Sequence, residues 1–129
     1  MFSSAYAFRA SGRDYVIRLN SHREDFEKDA LAATTIRPTG VPIPKVIKMG
    51  QINPSDPKSN FCVSEYCTGL TLSQLNLQKG AQAEREVAIE VFQLLDRVRK
   101  IDVSQAKGWG LTNKTGEGSF SSWPDYLLS

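Results

Sequence analysis

Two runs of alternating side chains at the start of the chain constrain its fold more than any other feature. Residues 5–10 and 14–19 alternate in the way that is typical of β-strands. Residues 11–13 separate them, and a short polar segment that contains glycine favours a β-hairpin turn. Because successive side chains of a strand point to opposite faces, Val16 and Arg18 are expected on one face of the second strand.

A helix and two further strands are predicted next. Apolar residues at helical spacing predict a helix over residues 23–36, with Ser21 as its N-cap. Residues 41–44 are expected to be extended, because each residue before a proline is pushed out of the helical region. A strand over residues 45–49 follows. After a loop rich in proline and serine, another strand is predicted over residues 61–66.

Helical signals dominate the second half of the chain. An apolar stripe predicts a long helix over residues 82–101, and Thr71 is expected to cap a short helical turn before it. Four glycines within residues 108–118 predict a loop. A last helix is expected to begin after Ser121 or Ser122, with a proline in its first turn.

The order of the predicted elements indicates the fold class. Two strands, a helix, two strands and then helices form an α+β pattern with a sheet that is at least partly antiparallel. An alternating doubly wound arrangement would need strands and helices in strict alternation, which this chain does not show.

Composition and charge exclude several classes of function. Of 129 residues, 40% are hydrophobic and 23% are charged, which is ordinary for a globular domain. The net charge of +2 is spread along the chain, so no basic patch for nucleic acid is expected. No secretory leader is visible in residues 1–6 and no segment approaches a membrane span. Two cysteines do not form a disulfide framework, and we expect a cytoplasmic protein with reduced thiols.

Three segments carry the chemistry that the pattern predicts. Arg18 ends the motif YVIR (15–18) of the second strand, Asp29 lies on the helix that follows, and residues 65–67 leave the last strand just before a glycine. The N-lobe of kinases has the same order: a strand cation that pairs with nucleotide phosphates, a helix carboxylate that holds the cation, and a hinge that meets adenine. The sequence therefore predicts a kinase-like nucleotide site.

The residue types suit these roles. Phosphate oxygens need a fixed cation, and a carboxylate partner offsets the desolvation of that cation in a cleft. Val16 would pack against adenine while Arg18 reaches the phosphates. The hinge would contribute mainly backbone groups. We therefore expect the nucleotide site to be formed by the following residues: Val16, Arg18, Asp29, Glu65, Tyr66 and Cys67.

Six pieces of the chain together resemble the aminoglycoside phosphotransferase family, and most of all its hygromycin B phosphotransferases. The pieces keep the family's order and approximate spacing over nearly the whole chain. They are AYAF (5–8), GRDYVIRLNS (12–21), FEKD (26–29), PIPKV (42–46), GLTL (69–72) and SWPDY (122–126).

The resemblance implies a protein-kinase-like N-lobe, with a largely antiparallel sheet and one packed helix, followed by the first helices of a C-lobe. The N-lobe would span residues 1–68, and the hinge exit with the start of the helical lobe would span residues 69–129. The implied reaction transfers the γ-phosphate of ATP, with Mg²⁺, to a hydroxyl of an aminoglycoside-like molecule. Trp109 and Trp123 are expected to pack in the core or between lobes.

The resemblance also implies residues that this chain does not contain. Family members have a His-Gly-Asp catalytic loop and a later metal-binding aspartate, whereas the only histidine here is His22, in an ordinary loop position. We therefore expect no catalytic and no metal-binding residue in the chain. We also expect the first family strand and most of the phosphate-covering hairpin to be absent, with Ser3 and Ser4 left from the tip of that hairpin.

Two alternatives to an aminoglycoside phosphotransferase portion remain open. In the first, the chain has the same kinase-like fold, but the phosphotransferase acts on choline, homoserine or another hydroxyl metabolite. Alternatively, the chain is a non-catalytic, kinase-like binding or oligomerisation module. In each case exposed apolar surface and an unpaired strand edge lead us to expect a homo-oligomer.

Overall fold

A four-stranded antiparallel sheet forms the first half of the protein. In the computed structural model, which describes residues 4–129, the strands lie in the order β1-β2-β4-β3. The strands are β1 Ser4–Ala10, β2 Arg13–Asn20, β3 Val46–Gln51 and β4 Asn60–Glu65. The α+β class and the antiparallel sheet predicted from the sequence are confirmed.

The β1–β2 hairpin forms as the sequence predicts. Ser11 and Gly12 both have positive φ, at 50° and 76°, which is the conformation of the two-residue turn that matches the twist of a hairpin. Phe8 stacks on Tyr15 with ring centroids 5.6 Å apart. Ser3, expected at the tip of a preceding hairpin, lies outside the described residues, and Ser4 instead pairs with Leu19 as part of β1.

Helix α1, Arg23–Thr35, follows the hairpin and lies against β3 and β4. The expected cap at Ser21 is wrong: the N-cap is His22, and its side chain makes no capping bond. The side-chain oxygen of Asn20 accepts a hydrogen bond from the His22 N–H at 3.0 Å, so it braces the entry to the helix from two residues before. Phe26, in the first turns of α1, is 2% exposed and belongs to the core.

The long helix α2, Leu72–Arg99, begins ten residues earlier than expected. The predicted short turn after Thr71 is a full helical segment, because Thr71 and Gln74 form a reciprocal capping box. Gly80 interrupts α2 with φ 79° and ψ 174°, so two helical segments meet there at a kink. No residue of α2 is buried.

The predicted loop between residues 108 and 118 is instead a small hairpin. Strands β5, Trp109–Thr112, and β6, Gly118–Phe120, pair in antiparallel fashion. A Cβ at Gly108 would lie 2.2 Å from the carbonyl oxygen of Gly118, so glycine allows the two backbones to meet. The glycines therefore mark a close strand contact and not an unstructured loop.

Helix α3, Trp123–Leu127, packs on this hairpin and is capped by Ser122 and not by Ser121. Trp123 lies between Trp109 and Tyr126, with ring centroids 6.3 Å and 5.2 Å away. The two tryptophans pack on each other, and each is about half exposed, so neither lies in the core; packing between lobes stays a prediction. Within residues 4–129, none of the helices has the length and apolar character needed to cross a bilayer.

Candidate functional site: a cleft between the sheet and two helices

A cleft of about 550 Å³ opens between the sheet, α1, the segment that leaves β4 and the start of α2. All six residues predicted for the nucleotide site line this cleft: Val16, Arg18, Asp29, Glu65, Tyr66 and Cys67. The structure thus brings together residues that are up to 51 positions apart in the chain. Their roles toward a ligand stay a prediction.

Arg18 and Asp29, which both line the cleft, form an ion pair. The Arg18 Nη2 atom lies 2.5 Å from Asp29 Oδ2, and the side chains are 32% and 45% exposed. Burial by itself lowers the pKa of Arg18, but the hydrogen bond and the charge of Asp29 raise it above its ordinary value. The guanidinium is therefore a permanent, partly desolvated cation, and the predicted pairing is present.

Two buried side chains complete the surroundings of Arg18. Its guanidinium carbon lies 5.4 Å from the centroid of the Phe26 ring, a distance at which a cation is attracted to an aromatic face. The same Nη2 atom lies 3.8 Å from the sulfur of Cys62, which is fully buried. Burial raises the pKa of the Cys62 thiol, and Arg18 opposes part of that rise.

The hinge segment, residues 65–67, also lines the cleft and begins three residues further along β4 than Cys62, the strand partner of Arg18. The Glu65 carboxylate is held by other partners: it accepts a hydrogen bond from the Lys45 N–H at 2.9 Å and lies 3.3 Å from Arg37. In the part of the chain that the structure describes, the backbone N–H and C=O groups of Tyr66 and Cys67 make no hydrogen bond. These groups can therefore pair with the polar edge of a flat, apolar ligand.

Sequence reasoning missed several residues of the cleft wall. Ile43, Pro44 and Val46 supply apolar surface, and Thr71 with Gln74 supplies polar atoms at the start of α2. The sequence did contain a signal for Thr71 and Gln74. A threonine followed three residues later by glutamine marks a helix start, and Gly69 lies two positions before it, just past the hinge segment.

Among residues 4–129, no group of three or more histidine, cysteine, aspartate or glutamate side chains is arranged to hold a metal ion. The cleft combines a fixed cation, an apolar wall and unpaired backbone groups.

An antiparallel sheet, one helix packed on it and a hinge leading into helices define the N-terminal lobe of a protein-kinase-like fold and the start of its second lobe. Hygromycin-B 4-O-kinase from Escherichia coli is similar to this chain, with 29% identity over 128 residues. That alignment covers 98% of this chain but 35% of the relative. In sequence and fold the chain is similar to the N-terminal portion of aminoglycoside phosphotransferases.

Solved structures agree with this correspondence. The crystal structure of aminoglycoside phosphotransferase APH(4)-Ia superimposes with a TM-score of 0.85 at 28% identity, over 98% of this chain and 40% of that one. A thermostable mutant in ternary complex with AMP-PNP and hygromycin B gives a TM-score of 0.83 at 28% identity, with the same coverage. A mutant complex with ADP and hygromycin B gives 0.83 at 29% identity, again over 98% and 40%. No family model matches the chain.

Proposed function

We propose that the chain is the nucleotide-binding portion of an ATP-dependent phosphotransferase that acts on an aminoglycoside-like hydroxyl compound. One observation carries the proposal: a fixed cation and unpaired hinge backbone groups line the same cleft, with the hinge beginning three residues further along β4 than Cys62, the strand partner of Arg18. A nucleotide presents phosphates at one end and a flat base with polar edges at the other. The arrangement of the cleft is therefore complementary to that ligand.

In this proposal the base lies against Val16 and the apolar wall, with its polar edge at Tyr66 and Cys67. Arg18 binds the phosphates, and Asp29 holds Arg18 in place. Support comes from two of the similar structures described above, which are complexes with AMP-PNP and with ADP. Residues 1–68 form the nucleotide-binding lobe of the proposal, and residues 69–129 begin the lobe that completes the enzyme.

The acceptor is proposed from the similar proteins alone. Hygromycin B is bound in two of the similar structures, and the relative from Escherichia coli is a hygromycin-B kinase. The chain spans 35–40% of the length of these proteins. We propose that residues 4–129 do not transfer phosphate by themselves, since they contain neither a His-Gly-Asp sequence nor a cluster of metal ligands.

A second candidate function, an oligomerisation module, is favoured by the surface of the chain. The accessible area is 9861 Å², whereas a compact monomer of 14.3 kDa exposes about 6,800 Å². Large apolar side chains of α2 contribute to the excess, with Ile89, Phe92 and Leu95 between 55% and 70% exposed. A second copy of the chain is one partner that this surface fits.

Calorimetric titration of the 129-residue chain with AMP-PNP tests the nucleotide proposal. We expect saturable binding with one nucleotide per chain, weakened in Arg18→Ala and unchanged in Arg23→Ala. Arg23 is a matched control, because it is an arginine with a carboxylate partner, Glu27, outside the cleft. Absence of saturable binding, or equal losses in both variants, would contradict the proposal.

A further inference from the structure

The guanidinium of Arg18 is surrounded by side chains of three different types. Phe26 presents its ring face at 5.4 Å, Asp29 accepts a hydrogen bond at 2.5 Å, and the sulfur of Cys62 lies at 3.8 Å. Phe26 is 2% exposed and Cys62 is 0% exposed, so both contacts come from the rigid core. We call this set, Phe26, Asp29 and Cys62, the arginine cradle.

We propose that Phe26 and Cys62 are positioning residues that set the plane of the Arg18 guanidinium in the cleft, so that the site requires arginine and does not accept lysine. The inference rests on the proposed function, because it concerns the cation that would meet the phosphates. Neither residue lines the cleft itself. Their effect on a nucleotide is therefore exerted through Arg18.

The pattern of used and unused donors supports this inference. Both hydrogen bonds of Arg18 are made by Nη2. Within residues 4–129, the Nε and Nη1 donors have no partner. Because a guanidinium is planar and rigid, fixing Nη2 and one ring face also fixes the direction of the other donors. Arg18 is thus oriented before a ligand arrives.

Lysine cannot use the cradle in the same way. Its ammonium is a compact, strongly hydrated charge on a flexible stem, and it does not stack its plane on a ring or present a fork of donors. A lysine at position 18 would still pair with Asp29. It would lose the contact between the guanidinium and the Phe26 ring, so its direction in the cleft would no longer be fixed.

A purely structural role for Phe26 makes a different prediction. A core residue that only stabilises the fold affects every ligand of the cleft alike. A positioning residue that acts through Arg18 affects binding of the phosphates and leaves binding of the base unchanged. Comparing ATP with adenosine therefore separates the two roles.

The first part of the test measures the Kd values of ATP and adenosine for wild type, Phe26→Leu, Cys62→Ala and Arg18→Lys. We expect Phe26→Leu to weaken ATP on the order of tenfold, as loss of a partly desolvated cation–π contact implies, and to leave adenosine unchanged. Cys62→Ala should weaken ATP by a smaller factor. Arg18→Lys should lose most of the ATP affinity. Val41→Ala, a change in the buried core outside the cleft, should alter neither the ATP-to-adenosine ratio nor the Kd of ATP.

Three outcomes would overturn the inference. Phe26→Leu could bind ATP as tightly as the wild type, or it could lose ATP and adenosine affinity equally. Arg18→Lys could bind ATP with wild-type affinity. If the leucine variant does not fold, ring-fluorinated phenylalanine placed at position 26 weakens the ring face at nearly constant shape. ATP affinity should then fall as fluorines are added, and a constant affinity would overturn the inference.

The second part of the test needs no nucleotide. The side-chain Nε–H proton of Arg18 should show an NMR shift caused by the Phe26 ring, and the shift should be lost in Phe26→Leu. If the wild type binds no nucleotide, the proposed function fails. In that case a shift of the Arg18 Nε–H proton that is lost in Phe26→Leu would still support the arginine cradle. The same proton shift in the wild type and in Phe26→Leu would overturn the inference about the cradle too.

Discussion

Removing the charge of Arg18 should cost nucleotide affinity far more than removing its partner. In Arg18→Ala the phosphates lose at least one charge-assisted hydrogen bond, each worth about 1.5–3 kcal/mol. At 1.4 kcal/mol for each factor of ten, the Kd of ATP should rise by roughly one to two orders of magnitude. Adenosine, which has no phosphate, should bind with unchanged affinity.

Asp29→Asn keeps the shape of the side chain and removes its charge. Because Asp29 is 45% exposed, its ion pair resembles a surface pair, which contributes about 0.2–1 kcal/mol. The Kd of ATP should therefore rise by no more than about fivefold. The smaller effect reflects a cation that is loosened but still present.

Displacement of a fluorescent nucleotide at 0.15 M salt measures these changes for all variants under one condition. Glu27→Gln is the matched control for Asp29→Asn. Like Asp29, Glu27 is a carboxylate of α1 that pairs with an arginine, but it lies outside the cleft. The reasoning is refuted if Arg18→Ala binds ATP like the wild type. It is also refuted if Asp29→Asn costs more than Arg18→Ala.

Other predictions concern thiols, acid stability, packing and assembly. Cys67 is exposed in the cleft and Cys62 is buried. A thiol reagent should therefore label only Cys67 in the native chain, and AMP-PNP should slow that labelling. Rapid labelling of both thiols would contradict this prediction. The pKa values of Asp96 and Asp125 lie below their usual range, because a lysine and a serine hydroxyl hydrogen-bond them. Their contribution to stability is present above the unfolded pKa of about 3.9 and is lost as the pH falls through the lower folded pKa values. The urea midpoint of unfolding should therefore fall on acidification. It should fall less in the variant with both Asp96→Asn and Asp125→Asn. Gly110 has φ 92°, and a Cβ there would lie 2.7 Å from the Tyr126 ring, so Gly110→Ala should destabilise the chain by about 1–3 kcal/mol in urea titration; an unchanged midpoint would contradict the contact. The exposed face of α2 should make the isolated chain self-associate, and a well-folded monomer at tens of micromolar in sedimentation equilibrium would count against this.

Much of the sheet and the pairing of Arg18 with Asp29 could be predicted from the sequence. The alternation of side chains identifies the hairpin, and the order of strand, helix and strand brings a strand-end cation near a helix carboxylate. These signals are local and periodic, so they do not depend on distant contacts.

The hairpin of β5 and β6 could not be predicted in the same way. Glycine is typical of loops, and its use for close strand contact at Gly108 and Gly118 depends on residues ten positions apart. The full length of α2 was missed for a related reason. The long helix was predicted to begin only at residue 82, but the capping box at Thr71 makes the segment before Gly80 helical as well.

The arginine cradle also lay beyond sequence reasoning. Phe26 reads as an ordinary core position on an amphipathic helix, and Cys62 reads as a buried strand thiol. Only the distances of both side chains to the Arg18 guanidinium connect them with the cleft.

Mapping backbone amide shifts by NMR during titration with AMP-PNP tests the central claim most directly. The account predicts saturable shifts at Val16, Tyr66 and Cys67, together with the Arg18 side chain, and no shift in the second segment of α2 after Gly80. Saturable shifts confined to that second segment, or no saturable shift at the hinge segment, would contradict a nucleotide site in this cleft.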